Sequence, residues 1–245
     1  MNDATSPTDR RLSKSALSRR AYDALKVLIL DHEIAPGARL GIDELAALLG
    51  ISQTPVREAL ARLEGDGLAE RHANGRYHAA PLLDLATFDD LYAVRLLLEP
   101  PAAAAAAASV GAADLAALHR FVEDQRLAGT QGRPEIFAGY VAADAAFHET
   151  IAHASGNRLL ADAVHHLHVH HRLGPLYRNR GVPDASDAIR EHTSILAAIA
   201  AGEAAPAERL MRRHIERSRA ALRPWVAAES SHMPQHLTAR QGVPA

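Results

Sequence analysis

The stretch ISQTPVREALARLEGDGLAERHANGRYHAA, residues 51–80, decides the fold of the first third of the chain. Its first half has the pattern of a helix, because Ser52 or Thr54 can cap it and Pro55 falls in the first turn, where a missing N–H costs nothing. Apolar residues recur at helical spacing on one side. The pattern predicts a buried stripe formed by Val56, Leu60 and Leu63. The opposite side, which is predicted to face outward, consists of Gln53, Thr54, Arg57 and Ala61.

Two short alternating runs follow this helix, on either side of Asn74 and Gly75. An Asn-Gly pair between such runs is the strongest local signal for a β-hairpin. We therefore predict a hairpin directly after the helix, and it carries Arg71, His72, Arg76 and His78.

Two further helices are predicted before residue 51. The stretch AYDALKVLILDHEIAPGARL, residues 21–40, begins as an amphipathic helix that ends before Pro36-Gly37, with Tyr22, Leu25, Val27, Leu28 and Ile29 on its buried side. The stretch IDELAALLG, residues 42–50, predicts a short helix that buries Leu45, Leu48 and Leu49 and ends at a left-handed Gly50. Two short helices joined by a tight turn indicate a helix-turn-helix, with the hairpin as a wing. A small helical domain that binds no DNA is the alternative.

Residues 16–81 resemble the winged-helix domain of the GntR family of bacterial transcription regulators, because TPVREAL, RLE and GL follow in the family's order and spacing. The resemblance implies that Ser52, Gln53, Thr54 and Arg57 contact operator DNA. It also implies that the wing tip at Gly75, with Arg76 beside it, enters the minor groove. Many relatives have arginine at the position of Gln53, whereas glutamine suits adenine N6 and N7.

The composition favours helices and excludes several classes of site. The chain has 245 residues and a net charge of −2, with 48% hydrophobic but only 4% aromatic residues. Its apolar residues are mainly alanine and leucine, which favour helices. The absence of cysteine excludes disulfides and thiolate metal sites. No run of ~18 apolar residues and no signal peptide is evident, so we expect a cytoplasmic protein that binds no membrane.

Long alanine-rich helices follow Pro81, at about residues 84–109, 112–129, 134–154, 157–173, 184–201 and 204–227. Pro100 and Pro101 are expected to kink or restart the first of these helices. The fold class is therefore mainly α, with an N-terminal winged helix-turn-helix and then an all-α bundle of six to seven helices. We expect a flexible tail at 1–12, domains at 13–81 and 82–227, and a second flexible tail at 228–245. A basic cluster near the N-terminus contains no acidic residue and forms either a solvated tail or an arm that lies near DNA phosphates. It consists of Arg10, Arg11, Lys14, Arg19 and Arg20.

Four residues of the bundle have the chemistry of a metal site. Asp144 and His148 are four residues apart and share one helical face, and His192 and His214 lie on two later helices. Three nitrogens and one oxygen that converge inside a bundle suit zinc, nickel, iron or manganese. A single histidine near an apolar stripe is usually a satisfied core residue, so the spacing leaves both interpretations open.

Residues 85–222 resemble the FCD effector domain of the FadR-like GntR branch, through YAVRLLLEP (92–100), DAAFHETIAHASGNRLL (144–160) and EHTSILAAIAAGEAAPAERLMRRHI (191–215). The resemblance implies that Asp144, His148, His192 and His214 bind a divalent transition metal ion, with zinc expected first and nickel, manganese or iron as alternatives. It also implies a small organic acid effector above the metal. Arg95 matches an arginine of the family's first effector-domain helix, although an ion pair with Glu99 is the alternative, and Arg172 is a second candidate.

The tract HHLHVHH, residues 165–171, holds five of the 15 histidines but is not expected to form the metal site. Its side chains point around the whole helical wheel and cannot all reach one ion. We expect it to be mostly solvated or interfacial.

These features together predict a ligand-responsive DNA-binding repressor that acts as a homodimer on a palindromic operator, because one short recognition helix reads too few bases. A metal-dependent enzyme is one alternative, because an Asp/His3 site with open positions can activate water. A DNA-binding structural protein without an effector is another.

Overall fold

The computed structural model describes residues 14–30, 32–129, 134–167 and 185–232. The chain divides after Pro81 into two compact units, each with its own hydrophobic core. Arg10, Arg11, Arg172 and residues 168–171 of the histidine tract lie outside the described residues. In the part of the chain that is described, no helix is long and apolar enough to cross a membrane.

The first unit is a winged helix-turn-helix, as predicted. Its elements are α1 (Lys14–Leu30), β1 (Arg39–Leu40), α2 (Ile42–Leu49), α3 (Gln53–Gly65), β2 (Ala69–Arg71) and β3 (Tyr77–Ala79). The strands form an antiparallel sheet in the order β1-β3-β2, in which Leu40 and Arg71 both pair with Tyr77. The sequence did not predict β1, because two residues are too few to produce an alternating pattern.

The core of the first unit joins α1 to α3. Leu25 of α1 and Val56, Leu60 and Leu63 of α3 are completely buried, as the helical spacing predicted. The prediction was wrong for Val27 and Leu48, whose side chains are 54% and 66% exposed. Val27 lies two residues from Leu25 and therefore on the opposite side of α1. Leu48 lies outside the arc of α2 that faces the core, which runs through Leu45 and Ala46.

Two glycines set the turns that position α3 and the wing. Gly50 ends α2 with φ of 64°, a left-handed conformation, and the N–H of Ile51 donates to the carbonyl of Ala46. In the predicted hairpin, Gly75 has φ of 76°, and its N–H donates to the carbonyl of His72 at 2.8 Å. The wing is therefore closed by a tight turn with a left-handed glycine at its tip.

The second unit is an all-α bundle. Its described helices are α4 (Leu85–Ser109), α5 (Ala112–Gly129), α6 (Pro134–Ala154), α7 (Arg158–His166), α8 (Ala185–Ala200) and α9 (Ala204–His232). The most extensive packing is between α4 and α9 and between α5 and α6, and α8 packs against α4, α5 and α9. Helix α7 ends at His166, before the predicted end at 173, and α9 continues to His232, beyond the predicted end at 227.

Helix α4 is one helix through Pro100 and Pro101, so of the kink or restart expected from the sequence the restart does not occur. The two prolines remove donors for the carbonyls of Leu96 and Leu97. The turns after them are nevertheless held in the helix by packing, because Ala102, Ala103, Ala106 and Ala107 are buried in the bundle. Small alanine side chains let the neighbouring helices approach closely, so tertiary packing overrides the local preference.

Candidate metal centre and nucleic-acid interface

One side of α3 forms an exposed polar surface at the start of the helix. Ser52, Gln53, Thr54 and Arg57, which we call the recognition surface, are all exposed, while Val56 and Leu60 bury the opposite side. Ser52 occupies the N-cap position but its side chain accepts no capping hydrogen bond. The outward side predicted from the helical spacing, formed by Gln53, Thr54, Arg57 and Ala61, is therefore exposed.

The amide of Gln53 is held by the preceding helix. Its Nε2 donates a hydrogen bond to Oδ1 of Asp43 in the first turn of α2. One N–H and the carbonyl oxygen of the Gln53 amide remain, and this donor–acceptor pair is the one that reads N7 and N6 of adenine.

The wing presents a basic tip with a stacked pair of histidines. Arg71, His72, Gly75 and Arg76 are exposed, and the rings of His72 and His78 stack with centroids 3.9 Å apart. Burial lowers the pKa of His78, and the neighbouring His72 and arginines lower it further. The positive charge of the wing at neutral pH therefore comes from Arg71 and Arg76 rather than from His78.

In the second unit, three helices bring three buried imidazoles together. His148 of α6, His192 of α8 and His214 of α9 are 3%, 0% and 4% exposed, and one ligand nitrogen from each lies within 4.8 Å of the others. We call these residues the histidine cluster. The Nε2 atoms of His192 and His214 are 3.2 Å apart. Within the described residues, this is the one group of three or more histidines and carboxylates with such spacing.

Asp144, the fourth predicted ligand, lies at the edge of the cluster. Its Oδ1 is 3.6 Å from Nε2 of His192, and it accepts a 2.8 Å hydrogen bond from Nε2 of Gln125. The structure therefore brings all four predicted ligands to one place inside the bundle.

The second ring nitrogen of each histidine faces a side-chain oxygen. Nδ1 of His148 lies 2.6 Å from Oε2 of Glu99, and Nδ1 of His214 lies 2.8 Å from Oε2 of Glu191. Nδ1 of His192 lies 2.8 Å from Oε1 of Gln125. A partner at Nδ1 leaves the Nε2 lone pair for an ion, and histidine ligands of metal sites are commonly held in this way.

The pKa shifts of His192, His214 and Glu99 suit metal binding. Burial lowers the pKa of His192 and of His214 well below the ordinary value, and the neighbouring imidazoles lower it further. Both rings are therefore neutral, as a metal ligand must be. Burial opposes ionisation of Glu99, but Arg95 and His148 outweigh burial and hold the pKa of Glu99 well below its usual range. The residues present thus fit a divalent transition metal ion.

Arg95 is buried and makes the ion pair that was the alternative interpretation of its sequence position. Its Nε donates to Oε1 of Glu99 at 2.6 Å, and both side chains are less than 5% exposed. A second arginine has a similar contact, because Nε of Arg217 donates to Oε1 of Glu191 at 2.7 Å. Each of these two glutamates therefore lies between a histidine of the cluster and an arginine.

Sequence reasoning missed Gln125, Glu191 and Arg217 and saw Glu99 only as a partner of Arg95. Glu191 directly precedes His192, so its position beside the cluster could have been suspected. Gln125 has no such signal, because it lies on a helix that supplies none of the four predicted ligands.

The described part of the histidine tract does not join the cluster. His165 is exposed and its Nδ1 lies 3.1 Å from Oε1 of Glu149, whereas Nδ1 of His166 lies 2.6 Å from the carbonyl of Asp162.

A separate open groove of about 550 Å³ lies between α5 and α6, and its lining, which includes Phe121, Leu127 and Ala143, contains none of the predicted site residues.

Comparison with known families matches both units. Residues 17–77 match the model described as bacterial regulatory proteins, gntR family, and residues 90–217 match the FCD domain. The second match alone covers more than half of the chain.

Known proteins with similar sequences and structures are also regulators. A Streptomyces ambofaciens protein described as an uncharacterized HTH-type transcriptional regulator is 30% identical, over 80% of this chain and 81% of its own length. A probable D-xylose utilization operon transcriptional repressor of Paenarthrobacter nicotinovorans is 28% identical, over 85% of this chain and 89% of its own length. The solved structure of Escherichia coli McbR/YncC, 27% identical, superposes with a TM-score of 0.67 over 84% of this chain and 96% of that one.

These matches exclude the metalloenzyme alternative, because the family and the relatives are transcriptional regulators rather than enzymes. The chain belongs to the GntR family of bacterial regulatory proteins, with an FCD domain after its winged helix-turn-helix, and is a DNA-binding transcriptional regulator.

Proposed function

We propose that this regulator is a homodimeric repressor whose FCD domain binds a divalent metal ion and a small organic acid, and that the acid changes its affinity for operator DNA. The observation that carries the proposal is the histidine cluster, in which three buried imidazoles converge and each has an oxygen partner at Nδ1. The relative named as a probable repressor supports repression as the mode of action.

The recognition surface would lie in the major groove, and the wing, with Gly75 and Arg76 at its tip, in the minor groove. Arg57 and Thr54 are exposed one turn apart on α3 and can contact phosphates or base edges. Gln53, whose amide is held by Asp43, would favour adenine. The basic tip of the wing supplies phosphate-binding charge that does not depend on the protonation of His78.

Replacement of Arg57 by alanine should weaken operator binding. A lost arginine contact to DNA costs about 1–3 kcal/mol, which corresponds to a roughly 5- to 150-fold higher Kd. Fluorescence anisotropy measures this on an operator that the wild-type protein selects from a random duplex library. Arg209→Ala removes the same charge from an exposed position of α9 and should leave Kd unchanged. Equal affinity of Arg57→Ala and wild type would show that α3 is not placed in the groove as we propose.

His148, His192, His214 and Asp144 would hold the metal ion, which supplies a Lewis-acid centre for an anionic ligand. Zinc suits this set of three nitrogens and one oxygen, and nickel, manganese or iron share the preference for imidazole and carboxylate. Glu99, Gln125 and Glu191 would keep the imidazoles in the orientation that an ion needs.

Alanine at any one of His148, His192 and His214 should reduce bound zinc and the increase in Tm that zinc produces. Because the ion binds the folded state, zinc at a thousandfold excess over its Kd stabilises by about 4 kcal/mol. Elemental analysis and thermal unfolding with and without zinc test both effects. The double variant His165→Ala/His166→Ala is the control, since both residues are exposed and outside the cluster. The proposal is wrong if this control loses as much zinc as the cluster variants.

A face of α4 supports the homodimer. The exposed positions from residue 93 to residue 108 carry no charged and no polar side chain, and Leu97 on this face is 73% exposed. The α4 face consists of Ala93, Val94, Leu97, Pro101, Ala105 and Ala108. Exposed apolar surfaces of this kind are rare on monomers and mark association sites. A second copy of the chain would also supply the second recognition helix that a palindromic operator requires.

The substitution Leu97→Glu should dissociate the dimer, because the buried interface would then enclose two unpaired carboxylates, one from each copy. Light scattering after size-exclusion chromatography is expected to give half the wild-type mass, with zinc content unchanged. Leu159→Glu on α7 is the matched control, because Leu159 is 77% exposed and lies outside the α4 face. A Leu97→Glu protein that keeps the wild-type mass would place the interface elsewhere.

The organic acid would bind through a carboxylate at an open position of the metal ion. Arg95 is the second anchor we propose, because a guanidinium has five N–H groups and the ion pair with Glu99 engages two of its nitrogens. Tyr140, one turn before Asp144 on α6, is buried, and burial together with Asp144 raises its pKa well above the usual range. Its phenol therefore stays protonated and can donate to an anion.

Removal of the metal should separate operator binding from the response to acid. Chelator-treated protein is expected to bind operator like the untreated protein, because the winged unit contains no proposed metal ligand. In the treated protein, however, no member of a panel of mono-, di- and hydroxycarboxylic acids should change the Kd for operator. Arg95→Lys should retain zinc, since an ammonium can still pair with Glu99, and should need more acid because it lacks the planar fork. Anisotropy titrations decide both points, and an acid response that survives chelation would contradict the proposal.

A further inference from the structure

Gln125 is a completely buried polar residue on α5, a helix that contributes no proposed metal ligand. Its amide makes two hydrogen bonds to two different helices. Nε2 donates to Oδ1 of Asp144 on α6 at 2.8 Å, and Oε1 lies 2.8 Å from Nδ1 of His192 on α8. The side chain therefore connects two members of the proposed metal centre that come from separate elements.

The chemistry of the three groups permits one arrangement of protons. An ionised carboxylate can only accept hydrogen bonds, so the NH2 group of Gln125 must face Asp144. The carbonyl of Gln125 then faces His192 and can only accept, so Nδ1 of His192 must carry the proton. A neutral imidazole protonated at Nδ1 has its lone pair on Nε2, the atom that lies 3.2 Å from Nε2 of His214.

Glutamine is the residue type that can serve both partners at once. The other two histidines of the cluster face carboxylates, Glu99 and Glu191. A carboxylate at position 125 could accept from His192 but would face Asp144 with a like charge within hydrogen-bond distance. An aliphatic side chain would leave two buried polar groups without these bonds, which is costly.

We propose that Gln125 is a positioning residue that preorganises the metal centre: it fixes the tautomer of His192 and the rotation of Asp144, and thereby sets metal affinity and coordination geometry. This inference rests on the metal-binding function proposed above. Since α5 packs against both α6 and α8, the two hydrogen bonds of Gln125 would also hold these two ligand-bearing helices in register.

Cobalt(II) is the probe that tests the proposal, because its visible absorption reports coordination geometry as well as binding. Gln125→Met keeps the approximate length of the side chain but removes both hydrogen bonds. We expect cobalt and zinc affinities, measured by competition with a chromophoric chelator, to fall about 10- to 100-fold, as for other partners of ligating histidines. The cobalt absorption bands should also shift in position or intensity.

Leu118→Met is the matched control, because Leu118 is a fully buried residue of the same helix with no polar role. It should retain wild-type affinity and the wild-type cobalt spectrum. If Gln125→Met does not fold, Gln125→Asn replaces it, since an amide one methylene shorter cannot reach both partners. Wild-type protein that binds no cobalt would overturn the metal proposal itself, and the inference with it. Wild-type affinity and spectrum in the folded Gln125 variant would overturn the inference alone.

Discussion

The second unit buries three imidazoles, and one ligand nitrogen from each lies within 4.8 Å of the others. Buried polar groups are costly unless they are hydrogen-bonded, so each ring needs a partner inside an apolar bundle. Gln125 and Glu191 provide hydrogen-bond partners for His192 and His214, and Oε2 of Glu99 lies 2.6 Å from Nδ1 of His148. The two glutamates in turn require opposite charges, which Arg95 and Arg217 provide. Buried alanines of α4, which include Ala103, Ala106 and Ala107, pack in the same core as larger buried residues such as Tyr92 and Phe147.

Helix α4 links this network to the surface of the unit. Glu99 extends from α4 to His148, whereas Leu97, two residues earlier, lies on the uncharged exposed face of the same helix. The helix continues through Pro100 and Pro101, so both features belong to one continuous helix. The proposed metal centre and the proposed association surface would therefore lie on opposite sides of the same helix. A shift of that helix would move both of them, which is the kind of helix movement that couples a ligand site to an assembly.

Local signals account for what could be predicted from the sequence. The winged helix-turn-helix could be predicted because its signals act on the adjacent backbone alone. These signals are the left-handed Gly50, Pro55 in the first turn of α3, and the Asn74-Gly75 pair. The four proposed ligands were found from their spacing and from the family resemblance, but the residues around them depend on contacts between distant segments. Gln125 and His192 are 67 residues apart, and nothing in either local sequence indicates that they meet. Of the kink or restart expected at Pro100 and Pro101, the restart does not occur, because packing between distant segments holds α4 together.

The charges around the cluster explain why the two arginines are needed even if neither contacts an effector. A divalent ion with Asp144 as its one anionic ligand would carry one net positive charge. Glu99 and Glu191 would change that to one net negative charge and repel an organic acid. Arg95 and Arg217 neutralise them, since each lies within 2.7 Å of its glutamate. With the proposed ion bound, the site would therefore use carboxylates to orient its histidines and still attract an anion, and the low dielectric of the bundle would strengthen both effects.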